Sequence, residues 1–455
     1  MIKNPLLLTD SYKVTHWPQY PKGTTKVRSY LESRGGLFSS TTFLGLQYIL
    51  KEYFSTPITK EMVDEAEEIF TAHLGSKELF NRAGWDHIVE KHGGKLPILI
   101  KAVKEGTTVS TSNVLMTVEN TDPACYWLPN YLETVLLQVW YPITVATLSR
   151  EMKKLILSFL NETGDPALID FKLHDFGYRG VSSVESAGIG GLAHLANFKG
   201  TDTVAALVAA KRYYGESMAG FSIPASEHST ITSWGKENEV EAMRNMIAQY
   251  GKGALYACVS DSYDIFNACE NLWGKELRSE VLNANGTLVV RPDSGVPHVV
   301  VVKCLELLGN QFGYSINEKG FKVLNPKVRL IQGDGIDLDE TRKILSEMRG
   351  HGWSADNVAF GMGGALLQKV NRDTQKFAFK CSSVTVNGQD RDVFKDPITD
   401  KGKQSKKGSL ALVKRLGKFQ TVPAPAIDDL LEVVYENGVL KRDQTLSEIR
   451  VLTGL

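Results

Sequence analysis

The chain has few cysteines, no net charge and no long apolar run, and each of these shortages excludes a class of protein. Its 455 residues include five cysteines, an odd number without C-x-x-C spacing, which excludes a disulfide framework and a cysteine-rich zinc site. Its 52 basic side chains balance 52 acidic ones, which disfavours a dedicated nucleic-acid or membrane-surface binder. The most apolar window, residues 135–146, contains Gln138 and Pro142 and is shorter than the ~20 residues that cross a bilayer.

The first residues carry no export signal. Leu6, Leu7 and Leu8 form an apolar run that is far too short for a signal peptide. The scattered cysteines fit a reducing compartment. We therefore expect a cytoplasmic protein whose partners include neither nucleic acid nor membrane.

From about residue 170, short apolar strands each end in a polar or glycine-rich segment and are followed by a helical stretch. Three of these segments, which we call tips, carry Asp261, Asp293 and Asp334, spaced by 32 and 41 residues, the length of a β/α unit. A β/α barrel places polar residues at the carboxyl end of every strand, so we predict this fold, with an open doubly wound sheet as the alternative. The tips are HDFGYRG (174–180), PASEHS (224–229), VSDSYD (259–264), VRPDSG (290–295), IQGDG (331–335) and FGMGG (360–364).

The regions on either side lack this regular alternation of strands and helices, which predicts a second domain. Residues 1–165 are mixed α+β, with strand-like pieces at 26–34, 96–103 and 114–118, and residues 376–455 return to strands and turns. We predict an α/β protein with a barrel over 166–375. The segment 376–455 is expected to pack with the N-terminal region as a β-rich domain.

Two glycine-rich stretches resemble nucleotide-binding motifs to different degrees. Residues 188–193 (GIGGLA) match the dinucleotide fingerprint but lack the preceding strand and the later acid, so tight helix packing is the better interpretation. Residues 361–364 (GMGG) follow a short strand and precede a helix, which favours an anion cradle over a plain turn. No P-loop motif is present.

Charged residues gather at the predicted tips. The carboxylates could hold sugar hydroxyls or a magnesium-bound phosphate, and a histidine beside them suits proton or phosphoryl chemistry. Arginines at the same rim, with lysines of the basic tail, could clamp a multiply charged phosphate. These residues indicate an enzyme acting on a phosphorylated sugar. They are Asp202, Asp261, Asp264, Asp293 and Asp334, with Glu227 and His228, Arg179, Arg291 and Arg372, and Lys380, Lys395 and Lys403.

In order along the chain, these motifs resemble those of the nicotinamide phosphoribosyltransferases, which are type II phosphoribosyltransferases. The resemblance rests on TDSYK (9–13), DFGYRGVSS (175–183), GTD (200–202), EHST (227–230), SDSYD (260–264), RPDSG (291–295), QGDG (332–335) and VFKDP (393–397). It implies a homodimer of barrels with a β-rich domain. It also implies a reaction of NAD salvage, in which nicotinamide and phosphoribosyl pyrophosphate (PRPP) give nicotinamide mononucleotide and pyrophosphate. The reaction would require Mg²⁺. A nicotinate enzyme and a non-catalytic signalling role are the alternatives.

The resemblance also implies a role for individual residues at the base. Phe176 would stack on the pyridine ring, with Tyr12 of the other subunit on its opposite face. Asp202 would accept a hydrogen bond from the carboxamide. Arg179 and Arg291 would lie at the base and the 5′-phosphate.

The resemblance also implies which residues contact the sugar, the phosphates and ATP. His228, positioned by Glu227, would be phosphorylated transiently by ATP as a co-substrate. The catalytic residues would be Glu227, His228, Arg291 and Asp293, with Asp264 and Asp293 near Mg²⁺. The remaining substrate-binding residues are Ser260, then Gly333 and Asp334 for ribose, Gly363, Gly364 and Arg372 for phosphate, and Arg34, Lys380, Lys395 and Lys403 for pyrophosphate.

Overall fold

The strands and helices come from a computed structural model that describes residues 4–399 and 404–454. In chain order the strands are β1 (Thr24–Ser33), β2 (Ser40–Thr42), β3 (Ile98–Ala102), β4 (Thr108–Ser110), β5 (Val114–Asn120), β6 (Leu173–Asp175), β7 (Gly200–Thr201), β8 (Leu255–Val259), β9 (Thr287–Arg291), β10 (Tyr314–Ile316), β11 (Lys322–Leu324), β12 (Val328–Gln332), β13 (Val358–Met362), β14 (Phe377–Val386), β15 (Gln389–Asp392), β16 (Leu410–Arg415), β17 (Lys418–Pro423), β18 (Glu432–Glu436) and β19 (Val439–Leu440).

The α-helices connect these strands. They are α1 (Leu46–Ile49), α2 (Lys60–Leu74), α3 (Arg82–His92), α4 (Leu128–Tyr131), α5 (Glu133–Leu137), α6 (Trp140–Thr163), α7 (Val184–Leu195), α8 (Val204–Tyr214), α9 (His228–Thr232), α10 (Glu239–Tyr250), α11 (Ile265–Asn267), α12 (Arg278–Asn283), α13 (Pro297–Phe312), α14 (Leu338–Gly350), α15 (Gly364–Leu367) and α16 (Leu446–Thr453). None of the helices within 4–399 and 404–454 has the length and hydrophobicity to span a lipid bilayer.

The chain divides into two units. Of the described residues, the first unit comprises 4–147, 212–216, 371–399 and 404–454, and the second comprises 148–211 and 217–370. The predicted boundaries were 165/166 and 375/376. The first of these lies later than the observed division because that division falls inside α6, where an uninterrupted helix leaves no loop signal in the sequence.

The second unit is built on a parallel sheet in the order β7-β6-β13-β12-β9-β8. Its two edge strands both bond to the irregular segment 221–226. The Thr201 amide donates to the Phe221 carbonyl (3.0 Å) and the Ala257 amide to the Pro224 carbonyl (2.8 Å). These bonds close the sheet into a ring, so the predicted β/α barrel is confirmed and the open sheet is excluded.

The first unit contains a seven-stranded sheet in the order β15-β14-β1-β5-β3-β18-β19. Its strand β1 pairs antiparallel with β5 on one side and with β14 on the other, so that Tyr30 lies opposite both Thr117 and Lys380. The N-terminal and C-terminal segments therefore share one sheet. This confirms the prediction of a second β-rich domain made from both ends of the chain.

The GIGGLA stretch lies within α7, and all of its residues except Ile189 are buried. A Cβ on Gly191 would stand 2.6 Å from the Ala206 Cβ of the neighbouring α8, and one on Gly188 would stand 3.4 Å from the Ala205 carbonyl oxygen. These glycines therefore serve close helix packing, as predicted. The dinucleotide interpretation does not apply.

Candidate active site

The carboxyl ends of the barrel strands surround a cavity of about 1110 Å³. Each parallel strand ends at the same rim, which explains why tips from distant parts of the chain meet there. The cavity is lined by ten of the residues predicted for the site: Phe176, Arg179, Asp202, Glu227, Arg291, Asp293, Gly333, Asp334, Gly363 and Gly364.

Phe176 presents a half-buried aromatic ring to this cavity. Its amide donates to the Met362 carbonyl (3.0 Å), which fixes the backbone after β6 against β13. A Cβ on Gly361 would stand only 2.0 Å from the ring atom Cε2, and one on Gly333 would stand 3.3 Å from it. Glycine at 361 is therefore required for the ring to lie where it does, a role that differs from the anion cradle predicted for this stretch.

Asp202 follows β7 and is exposed at the cavity wall. Its Oδ1 accepts a hydrogen bond from the Ser222 hydroxyl, and its amide donates to the Asp175 carbonyl (3.0 Å). The second carboxylate oxygen of Asp202 can therefore accept a hydrogen bond from a ligand. Below it, the Asp175 side chain is fully buried, and burial raises the pKa of Asp175 to about 6.

His228 is the first residue of α9, and two aspartates flank its imidazole. Its Nε2 lies 3.7 Å from Asp261 Oδ1 and 3.6 Å from Asp293 Oδ2, while its Nδ1 lies 3.2 Å from the Ser262 hydroxyl. The predicted positioning by Glu227 is not what the geometry shows, because the Glu227 carboxylate accepts a bond from the Ser229 hydroxyl instead.

Asp261 organises the rim around this histidine. Its side chain is 3% exposed, and its Oδ2 accepts from the Asp293 amide (2.9 Å) and the Ser294 hydroxyl (2.5 Å). Its Oδ1 is buried and has no hydrogen-bond partner among the described residues. The pattern of tips placed Asp261 among the rim carboxylates but did not distinguish it as the residue that holds Asp293 and faces His228.

Arg291 ends β9 with a guanidinium that is only 17% exposed. Its Nη2 lies 3.6 Å from Asp293 Oδ2, and its Nε is buried with no hydrogen-bond partner in the part of the chain that the structure describes. A buried donor without a partner is costly, and a bound phosphate or carbonyl oxygen would satisfy it.

Two predicted residues are engaged elsewhere. The Ser260 hydroxyl is fully buried, donates to the Cys258 carbonyl (2.9 Å) and accepts from the Trp273 indole (3.0 Å), so it is not available to a substrate. Asp264 caps α11, and its Oδ1 accepts from the amides of Phe266 and Asn267 (both 3.0 Å).

The carboxylates at the rim fit a magnesium ion by their chemistry. Mg²⁺ prefers oxygen ligands and is usually held by one or two carboxylates together with substrate phosphates. The unpartnered Asp261 Oδ1 and the neighbouring Asp293 Oδ2 offer such ligands. Glu239, whose pKa is raised by burial and by the charges of Asp264 and Asp261, adds a buried Oε1 without a partner among the described residues. No sequence signal identified Glu239.

The first unit gathers a basic cluster of its own. Lys380 is largely buried, and burial lowers its pKa; Glu133 opposes this effect, while the positive charges of Arg34, Lys13 and Arg372 add to it. Arg34 and Arg372, which like Lys380 are predicted to bind phosphate or pyrophosphate, therefore lie close enough to Lys380 to repel its charge. A multiply charged anion would relieve that repulsion.

Arg34 is held in place for such an anion. Its Nε donates to Glu32 Oε1 (3.0 Å), whereas its Nη2 is buried and without a partner in residues 4–399 and 404–454.

Tyr12 is 59% exposed, with its ring edge against His16 (ring centroids 4.9 Å apart). Lys395 is also exposed, and Lys403 lies outside the described residues.

Comparisons with known proteins agree over the whole chain. Residues 171–439 match the nicotinate phosphoribosyltransferase (NAPRTase) family, and residues 4–100 match the N-terminal domain of nicotinamide phosphoribosyltransferase. A nicotinamide phosphoribosyltransferase of Xanthomonas campestris pv. campestris is 53% identical, covering 99% of this chain and 98% of the relative. One of Acinetobacter baylyi is 32% identical, covering 98% and 96%.

Two solved structures share the fold at low sequence identity. The nicotinate-nucleotide pyrophosphorylase from Pyrococcus furiosus has a TM-score of 0.61 and 16% identity, covering 98% of this chain and 93% of that chain. The human nicotinic acid phosphoribosyltransferase has a TM-score of 0.58 and 16% identity, with the same coverage.

Proposed function

The chain belongs to the nicotinate phosphoribosyltransferase family, and from this premise we propose that it joins nicotinamide to PRPP, giving nicotinamide mononucleotide and pyrophosphate. One observation carries the choice of base: an aromatic ring, Phe176, and an exposed carboxylate, Asp202, line the same cavity. A flat ring stacks on the first, and a carboxamide N–H donates to the second. The nucleotide product would enter NAD salvage.

The reaction breaks the C1–O bond to pyrophosphate and forms the C1–N bond to the base. The pyridine nitrogen supplies its own lone pair, so no general base is needed. Catalysis is then mainly positioning and stabilisation of charge as the ribose becomes oxocarbenium-like. Arg179 and Arg291 bind at the base and 5′-phosphate end, Asp293, Gly333 and Asp334 hold the ribose, and Gly363 and Gly364 receive a phosphate.

Mg²⁺, held by Asp293 with Asp261 and the substrate's own phosphates, would neutralise charge on the leaving pyrophosphate. The role of the chain's own residues is to keep these carboxylates in place. Asp261 does so by accepting hydrogen bonds from the Asp293 amide and the Ser294 hydroxyl. Asp264 is the weaker candidate ligand because its Oδ1 already caps a helix.

We further propose that ATP hydrolysis is coupled to synthesis through His228. A ring nitrogen of His228 would attack the γ-phosphorus of ATP, forming an N–P bond as the bond to the ADP oxygen breaks. Water would later cleave the N–P bond and release phosphate. The flanking carboxylates of Asp261 and Asp293 support this role, because they orient the imidazole and stabilise its positive charge.

We propose a homodimer with shared active sites. The basic cluster around Lys380 and the exposed ring of Tyr12 supply the groups that the resemblance assigns to pyrophosphate and to the outer face of the base. Two-fold symmetry gives each cavity an identical set of these groups.

Nicotinate is the second candidate base, because the family includes enzymes that act on it. Asp202 argues against it: two carboxylates facing each other in a partly desolvated site repel, which is worth several kcal/mol, or about 10²-fold or more in discrimination. The test is to supply PRPP and Mg²⁺ with either base and to measure the mononucleotide formed. We expect nicotinamide to be preferred by about 10²-fold or more.

Asp202→Asn removes the repelling charge and should reduce this preference. Asp339→Asn is the matched control, since Asp339 is exposed on α14 and is not among the residues of the cavity wall. Equal use of the two bases by the unmodified chain would refute the proposed choice of substrate.

A further inference from the structure

Two histidines and an aspartate meet in the first unit, in a cluster to which the proposed reaction gives no role. His87 and His92 lie on α3, which begins after the N-cap Asn81 and ends at His92 because Gly93 adopts a left-handed conformation (φ 59°). Asp122 follows β5 by two residues. The cluster therefore joins the end of a helix to the end of a strand.

Both imidazoles are directed at the same oxygen. His87 Nε2 lies 2.7 Å and His92 Nε2 lies 2.6 Å from Asp122 Oδ2, and one ligand atom from each of the three residues lies within 4.8 Å of the others. The two rings stand 5.6 Å apart between centroids at 64°. Two nitrogens and one oxygen thus converge on a single small volume.

A backbone hydrogen bond fixes the orientation of the aspartate. Asp122 Oδ1 accepts the Ala124 amide (2.8 Å), which leaves Oδ2 to the imidazoles. The three side chains are between 20% and 31% exposed, so a hydrated ion has access to them.

We propose that His87, His92 and Asp122 bind a divalent transition cation of the Zn²⁺ class. Two imidazole nitrogens and a carboxylate oxygen suit Zn²⁺ and leave the fourth tetrahedral position to water. Mg²⁺ is excluded as the natural occupant because it prefers oxygen ligands. When the ion binds, each Nε2 proton is lost to water and Nδ1 takes up a proton from water, so both imidazoles ligate in the neutral form. The ligand atoms move apart to the ~3.3 Å that tetrahedral bonds of ~2.0–2.1 Å require.

The expected consequence is a cross-link between α3 and the end of β5. These segments are separated by about 30 residues of chain, so an ion that binds only the folded arrangement stabilises it. The site is distinct from the barrel carboxylates, whose donors are oxygens and a single imidazole.

The experiment uses the full chain after removal of metal by a chelator. ZnCl₂ is added, the protein is gel-filtered, and bound zinc is counted per chain. Thermal unfolding is followed at rising free Zn²⁺. Co²⁺ in place of Zn²⁺ reports geometry through its visible absorption. His87→Gln and His92→Gln each remove one ligand, and His73→Gln, an exposed histidine at the end of α2 in the same unit, is the matched control. His228→Asn in a parallel sample removes the histidine of the barrel cavity.

We expect one retained Zn²⁺ per chain, a tetrahedral Co²⁺ spectrum and a Tm that rises with free Zn²⁺. Loss of a direct ligand should weaken binding by at least the ~10–100-fold seen when a supporting partner of a ligand is lost. His73→Gln and His228→Asn should bind as the unmodified chain does. Should either cluster variant fail to fold, Asp122→Asn, which keeps the oxygen that accepts the Ala124 amide, replaces it.

Three results would overturn the proposal. One is the absence of retained zinc. Another is zinc that persists unchanged in the His87 and His92 variants. The third is zinc that disappears with His228→Asn alone. In each case the cluster is a hydrogen-bonded triad only.

Discussion

Replacing Gly361 by alanine tests whether the position of the Phe176 ring controls the reaction. The new Cβ would lie 2.0 Å from ring atom Cε2 and 2.2 Å from Cδ2, whereas ordinary contact begins at 3.4 Å. The ring edge must therefore move by about 1.4 Å. A displacement of about 1 Å in a positioning group can reduce the rate by about 10²-fold, so we expect kcat/KM for nicotinamide to fall by about that factor.

The assay measures mononucleotide formation at saturating PRPP, with Tm and circular dichroism recorded for each variant. Gly350→Ala is the matched control: a Cβ at Gly350 meets no atom within 4 Å, and we expect unchanged kinetics. Phe176→Ala alone should lose the stacking contribution, about 1–3 kcal/mol. Because both substitutions act through one ring, adding Gly361→Ala to Phe176→Ala should cost little more.

Two results would refute this reasoning. Gly361→Ala with native Tm and unchanged kcat/KM would show that the ring position does not matter. A full additional loss in the Phe176→Ala background would show that the alanine acts through some other contact.

Three further predictions concern phosphorylation, pH and assembly. His228→Ala should abolish ATP hydrolysis and leave part of the mononucleotide synthesis; undiminished hydrolysis would make the histidine structural. Burial raises the pKa of Asp175 to about 6, so the folded state favours the protonated carboxyl. The stabilisation that results is complete below about pH 4 and is lost as pH rises through 6. Asp175→Asn should remove this loss and raise stability above pH 6 by up to about 3 kcal/mol in thermal or urea unfolding, and a stability–pH profile like that of the unmodified chain would contradict it. Tyr12→Ala and Asp202→Ala chains, each nearly inactive, should recover about one quarter of wild-type sites when dissociated, mixed and reassociated, and mixed dimers without recovered activity would refute the shared site.

The sequence was most informative about the tips of the barrel. A polar segment after each apolar strand is a local pattern, and parallel strands bring their carboxyl ends together whatever the loops between them contain. Phe176 and Asp293 could therefore be assigned to one rim from the sequence alone, whereas the place of Asp202 came from the resemblance to the family. The strand before Asp202, β7, is only two residues long, which is too short for periodicity to reveal.

Other parts of the site depend on contacts between distant residues. The GMGG stretch indicated a phosphate loop, but the space that Gly361 leaves for Phe176 depends on two strands being neighbours. The choice of Asp261 rather than Glu227 beside His228 likewise depends on the direction of side chains at the start of a helix. Sequence adjacency favoured Glu227, but Glu227 is the extended N-cap before α9, and its carboxylate bonds to Ser229 within the first turn rather than to His228.

The pairing of β1 with β14 has a consequence for the synthesis of this chain. The strand β1 (Thr24–Ser33) is complete long before β14 (Phe377–Val386) has been translated. At about 5–20 residues per second, one edge of β1 waits on the order of half a minute for its partner. During that interval the unpaired backbone N–H and C=O groups along one edge of β1 are open to other chains, which is a condition under which nascent proteins aggregate or recruit chaperones. The β-rich unit is consequently a late product of translation, even though its central strand is among the first parts of the chain to be made.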